Sequence, residues 1–183
     1  LGIILFLVAA GLTLIFGIMD LVNLAHGTLY MFGAFLAATF VQLTDSLVLG
    51  MILTLPAMLV VGLVLELGVL RTLYERDHLD QVLATFGLII FFNELFLIVW
   101  GAEGTGINLP SYLTGTSELP GGISVPDYRI VIIISGLLVA LLLYLLVSKT
   151  RIGMLIRAGA SNREMVGALG INIKLLFTLV FGL

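Results

Sequence analysis

The feature that most constrains this chain is a set of long apolar runs without formal charge. Residues 1–19, 46–65 and 130–148 contain no Asp, Glu, Lys or Arg. Residues 21–44 add only His26 to that pattern, and residues 81–100 add only Glu94. A bilayer core about 30 Å thick is crossed by about 20 apolar residues in helical form. The runs are too long and too continuous for the ten-residue alternating strands of an outer-membrane barrel. The expectation is an all-α, polytopic transmembrane helical bundle: five spans near 1–19, 27–44, 47–70, 81–100 and 129–148, and the start of a sixth at 175–183. Pro56 is expected to kink the third span. Composition agrees, with 61% hydrophobic and 10% charged residues and a mean hydropathy of +1.25. Beginning at Leu1 and stopping inside an apolar run at Leu183, the sequence reads as a fragment truncated at both ends.

Other classes are excluded by the same residues. A net charge of −3 and a pI of about 5.2 leave no basic footprint for nucleic acid. The absence of cysteine removes disulfides, thiol chemistry and Cys-based metal sites. His26 and His78 are too few for a zinc site, and no metal is expected. The first run lacks both the basic start and the small-residue cleavage site of a signal peptide.

Charge placement orients the spans. Lys149, Arg151, Arg157, Arg163 and Lys174 fall in one connection and Arg71 and Arg76 in another, whereas 101–128 has no Lys or Arg. The excess of basic residues assigns 71–80 and 149–174 to the cytoplasm and 101–128 to the outside. Within this outer segment, residues 103–128 hold five Gly and three Pro and read as a turn-rich cap rather than a helix.

Polar residues inside such spans are costly, at about 2.5–3.5 kcal/mol for a charged group. Asp20, Asn23 and His26 stand three apart between Gly17 and Gly27. Two readings remain open for them: an interfacial turn with capping side chains, or an unwound segment whose free backbone faces a ligand path. Glu66 is expected to pair with or snorkel toward Arg71. Glu94 is expected to line a cavity or pair inside the bundle among Phe91, Phe92 and Phe96. Trp100 and Tyr112 read as interface anchors. Gly33/Ala37, Ala34/Ala38 and Gly136/Ala140 are small-xxx-small pairs that admit close helix approach, and 137–146 is expected to face lipid.

The connection 149–174 is unlike an ordinary loop. One helical pattern covers 150–158, with Ile152, Leu155 and Ile156 on one face and Gly159 as a terminator. A second opens with Ser161-Asn162-Arg163-Glu164, the spacing of a capping box, and stops at Gly170. The apolar face of this short capped helix must lie on a membrane surface or dock on a partner.

Three stretches carry a resemblance. GLTLIFGIMDLVNLAHGTLYMFGAF (11–35), LATFGLII (83–90) with Trp100-Gly101, and TRIGMLIRAGASNREMVGALGIN (150–172) resemble, in order, the bacterial ABC-type branched-chain amino-acid permeases of the Liv type. Together they cover most of the chain. Asp20 departs from the pattern, where a small or apolar residue is expected. The resemblance implies a multi-pass permease subunit of the bacterial inner membrane, paired with a second related permease. Two ATP-binding-cassette ATPases would drive it, and a periplasmic binding protein would deliver substrate. It makes 149–174 the coupling segment, with Arg157, Ala158, Ser161, Asn162, Glu164, Gly167 and Gly170 contacting the ATPase. ATP would be hydrolysed by those partners, because no phosphate-cradling G-x-x-x-x-G-K-[ST] sequence occurs here. A mildly polar path for a zwitterion with an aliphatic body would be lined by Asn23, His26, Tyr30, Thr85 and Asn93. The rivals are a sugar-type ABC permease and an ion-coupled secondary transporter, the latter resting on Glu94.

Overall fold

The computed structural model describes every residue except Glu75, Asn108, residues 120–122 and Leu183. The side chains of Ile18, Leu119, Ile123, Arg163, Glu164 and Lys174 also lie outside the described set. Among the described residues eight α-helices follow one another: α1 (Gly2–Met19), α2 (His26–Thr44), α3 (Leu47–Gly68), α4 (His78–Trp100), α5 (Asp127–Lys149), α6 (Arg151–Ser161), α7 (Arg163–Ala168) and α8 (Ile173–Gly182). The helices α2 to α5 are each long and apolar enough to cross a membrane. The chain is an all-α polytopic membrane bundle with one small outlying hairpin.

Several ends of these helices have plain local causes. Leaving α1, Asp20 adopts a left-handed conformation (φ 51°), one that Asp tolerates better than most residues, and its amide closes on the Phe16 carbonyl. Ser46 caps α3 by accepting from the Leu49 amide at 3.4 Å. The helix α3 continues through Pro56 and ends at Gly68, after which Leu70–Leu73 form one 3-10 turn. The segment between α4 and α5 contains a feature that turn residues alone do not announce. Strands β1 (Thr116–Leu119) and β2 (Ile123–Pro126) pair antiparallel, with Ser117 opposite Val125. Leu113, in a 3-10 turn just before them, is buried.

Packing depends on missing side chains. A Cβ on Gly50 of α3 would meet the Val41 backbone nitrogen of α2 at 2.7 Å, so these two helices touch backbone to side face. Gly33 faces Met58 across the same seam, and Ala37 and Ala38 are buried in it. Gly136 of α5 makes room for Ile3 of α1. Beyond Gly136, the apolar surface of α5 is largely exposed. The main core gathers Ile15, Met19, Leu21, Leu70, Leu73, Ile156, Leu176, Phe177, Val180 and Phe181. It therefore lies where α1 ends and α8 begins, in the half of the molecule that carries Arg71, Arg76, Lys149 and Arg151. This is called the basic end below.

Candidate functional site: an embedded break and a docked helix pair

Between α1 and α2, residues 20–25 are not helical. Their free amides are met by side chains of α4. The Val22 amide donates to Gln81 Oε1 at 3.0 Å, and the Leu24 amide to Thr85 Oγ1 at 3.3 Å. Asn23 Oδ1 accepts from the Ala25 amide at 3.0 Å, turning the chain into α2. Thr85 is the eighth residue of α4, about 10 Å from its first residue along the axis. On the other side, His26 reaches Val8 and lies against Gly11, where a Cβ would come within 3.0 Å of Nε2. Those residues stand about 12–16 Å back from the end of α1. The break therefore lies inside the bundle, not at its rim. Irregular backbone is tolerated at such depth when protein groups satisfy it. Of the two readings of Asp20–His26, the segment is unwound as the second held, but its Val22 and Leu24 amides are taken up by α4, and Asn23 caps the turn as the first held.

The break is buried on one side and open on the other. Leu21, Asn23 and Ala25 are buried, whereas Leu24 is exposed. A cavity of about 290 Å³ is lined by Leu12, Thr13, Phe16 and residues 21–24. Asn23 Nδ2, from one of the lining residues, and His26 Nδ1, at the start of α2, are buried with no hydrogen-bond partner among the described residues.

Asn23, His26 and Thr85 are thus brought to one level of the bundle. Tyr30 and Asn93 are exposed on the outer surface of the chain and join neither the break nor the cavity. Gln81 is the member that the sequence reading did not single out. It is 3% exposed, and its Nε2 donates to the Leu73 and Arg76 carbonyls at 3.2 and 3.1 Å. The signal was present: Gln81 and Thr85 stand four apart on one face of a largely apolar helix.

The second region is the helix pair α6–α7. Thr150 caps α6 by accepting from the Gly153 amide at 3.0 Å. Gly153 fits beneath the Leu146 and Val147 carbonyls of α5, where any Cβ would collide with backbone. The Arg157 guanidinium donates to the Val147 carbonyl as well, closing the corner. The buried face of α6 is Gly153, Ile156 and Gly159, with Leu155 half-buried and Ile152 exposed. Gly159 does not end the helix, which runs on to Ser161.

Ser161 is accordingly not the cap of the next helix. Asn162 takes that role, its Oδ1 accepting from the Met165 amide at 2.9 Å. The side chain of Glu164, the far member of the expected capping box, lies outside the described residues. The helix α7 stops at Gly170 as expected, with φ at 82°. The Gly170 amide bonds to the Gly167 carbonyl and the Ile171 amide to the Val166 carbonyl, a Schellman closure. Val166 is buried, while Met165, Gly167, Ala168, Leu169 and Gly170 are exposed. Arg157, Ser161 and Asn162 are exposed too, and Ala158 is half-buried.

Two carboxylates differ from expectation. Glu66 is fully buried, accepting from the Tyr74 hydroxyl at 2.8 Å and from the Thr178 hydroxyl at 3.0 Å. Arg71, its expected partner, is exposed, because the 3-10 turn after α3 swings Tyr74 rather than Arg71 over the carboxylate. Burial, and then Glu66 itself, push the Tyr74 hydroxyl well above its ordinary pKa, so it remains a donor. Glu94 is exposed rather than enclosed, and only Phe92 and Phe96 of its neighbours are buried. Trp100 is tied to α2, its Nε1 donating to Thr39 Oγ1 at 2.8 Å and its ring packing on Phe35.

The described residues thus form a multi-helix membrane bundle with an internal break between α1 and α2 and a docked helix pair between α5 and α8. The chain belongs to the family of permease components of branched-chain amino acid transport systems, which matches residues 1–183. The chain is 30% identical to the high-affinity branched-chain amino acid transport permease protein BraD of Pseudomonas aeruginosa, covering 96% of the chain and 61% of BraD. It is 27% identical to LivH of Salmonella typhimurium, covering 96% of the chain and 60% of that protein. With a probable LivH of Methanocaldococcus jannaschii the identity is 28%, over 92% of the chain and 54% of the relative. The chain thus spans about three-fifths of the length of these curated relatives. No solved structure is a significant match.

Proposed function

We propose that the chain forms the main part of a permease subunit of an ATP-driven importer for branched-chain amino acids. In this reading the basic end faces the cytoplasm of a bacterial cell and the hairpin faces the periplasm, as the Lys and Arg excess directs. A second related permease completes the path, a periplasmic binding protein delivers substrate, and two ATP-binding-cassette subunits hydrolyse ATP. No cofactor is assigned to this chain.

The observation that carries the reading is the α6–α7 pair. It exposes Met165 and Leu169 at the basic end while Ile156 and Val166 are buried, Ile156 within the core that also holds α1 and α8. A helix pair built this way has one face for a soluble partner and one face that moves the bundle with it. The break at 20–25 supplies a complementary site: an aliphatic wall, free polar atoms at Asn23 and His26, and no strong charge among the cavity-lining residues to trap a zwitterion.

The experiment is uptake of labelled leucine by the full-length permease reconstituted with its ATPases and binding protein. Uptake should require ATP and fall to background in Gly167→Arg, with membrane insertion unchanged, because the new side chain projects from the exposed face of α7. Undiminished uptake in Gly167→Arg would remove the coupling role from this helix. ATP-independent uptake driven by an ion gradient would replace the importer reading with a secondary transporter.

A further inference from the structure

The two regions above are joined by a third that neither of them explains. The connection between α3 and α4 touches both through Leu73, Tyr74 and Arg76. On one side, Gln81 holds the Leu73 and Arg76 carbonyls with its Nε2 and the Val22 amide with its Oε1. A single buried amide thus bonds the connection and the break at once. On the other side, Tyr74 donates to Glu66 and stacks edge-on against Phe177 of α8, with ring centroids 5.1 Å apart. Glu66 also accepts from Thr178, the next residue of α8. The helix α8 follows the Schellman turn of α7 after two residues and is capped by Asn172, which accepts from the Leu175 amide at 3.1 Å.

We infer that the connection 69–76 is a mechanical relay, in which Glu66, Tyr74, Thr178 and Gln81 make the position of the 20–25 break follow the position of α7 and α8. The inference rests on the importer reading and deepens it by naming the positioning residues. Its physical basis is the cost of the arrangement. A carboxylate with no exposed surface is expensive to bury and is stabilised only while its donors stay in place. A shift of α8 therefore drags Tyr74 with it rather than breaking the bonds to Glu66. Leu73 is the adjacent residue, so its carbonyl moves as well, and Gln81 passes the displacement to Val22. Apolar packing alone would let α8 slide past α3, because dispersion contacts have no preferred partner. Hydrogen bonds to buried groups do not slide.

A reporter cysteine tests the relay. The 183 residues contain no cysteine, so Leu24→Cys, at the exposed lip of the cavity, places a unique thiol among them. Its alkylation by a soluble maleimide is followed in the complete reconstituted transporter, with and without ATP and vanadate. The expected result is an ATP-dependent change in rate of at least about fivefold in the otherwise unsubstituted complex. In Tyr74→Phe and in Thr178→Val the change should shrink to below about twofold while ATP hydrolysis continues. Thr178→Ser, which restores the hydroxyl, should recover it. A full-sized change in either hydroxyl-deleting variant would overturn the relay, as would an unsubstituted complex that takes up leucine with ATP but leaves the thiol rate unaltered. Leucine uptake in the same vesicles separates the two failures, since loss of ATP-dependent uptake in the unsubstituted complex strikes the importer reading instead. Either hydroxyl variant suffices if the other does not assemble.

Discussion

The two ends of this molecule are held together in different ways. At the basic end, α1, α6, α8 and the 3-10 turn Leu70–Leu73 meet in one core, threaded by the buried hydrogen bonds of Glu66 and Gln81. At the hairpin end, apolar surfaces carry most of the contact: the α2–α3 seam, and an aromatic file of Phe32, Phe35, Phe96 and Trp100 between α2 and α4, to which Trp100–Thr39 and Gln42–Gly106 add less buried hydrogen bonds. The hairpin itself is tied to the start of α5 by exposed polar bonds such as Ser117 to Asp127. Directional bonds fix positions, whereas flat apolar contacts fix only proximity. The basic end is therefore built to transmit displacement and the hairpin end to accommodate it.

The strongest way to break this contrast is Gly153→Val. A side chain there meets the Leu146 and Val147 carbonyls, backbone that cannot step aside. A loss of about 3 kcal/mol in detergent-denaturation stability is expected, together with loss of ATP-driven uptake. Gly50→Leu is its counterpart toward the hairpin end, forcing α2 and α3 apart at Val41. It should cost about 2 kcal/mol, yet uptake per folded molecule should hold near wild type. Equal damage to uptake from both would dissolve the distinction.

Smaller effects sharpen it. Asn162→Ala removes the cap shared by α6 and α7 and should cost about 1 kcal/mol, with a several-fold drop in uptake at limiting ATPase concentration. Ser117→Ala deletes an exposed hydrogen bond of the hairpin. Its effect on denaturation should stay within about 0.5 kcal/mol and on uptake within error. A large uptake defect in Ser117→Ala would show that the hairpin does more than accommodate.

Much of the architecture was legible because bilayer crossing is a one-dimensional constraint: a long charge-free run can satisfy its backbone only as a helix. The same local logic found the stop at Gly170, since a positive φ there favours glycine. It misjudged the cap of α7, because Ser161 and Asn162 are both good capping residues. What separates them is how far α6 continues, which depends on Gly153, Ile156 and Gly159 packing against the bundle. The sequence reading likewise gave Glu66 the basic neighbour nearest in the chain. The chain's turn after Gly68 instead offers Tyr74, and Thr178, 112 residues away, completes the pair.

By itself, then, the order of residues determined the class of fold and the family motifs, consequences of short-range chemistry. Only the tertiary structure decided that residues 20–25 are an embedded break rather than a surface turn. Their free amides needed Gln81 and Thr85, about 60 residues distant and on another helix. It likewise decided that Tyr30, Asn93 and Glu94 face outward while Gln81 faces in. Polarity marks a residue as costly to bury in an apolar helix, but which polar residues go inside depends on which ones find partners there, and those partners are assembled only when the helices pack.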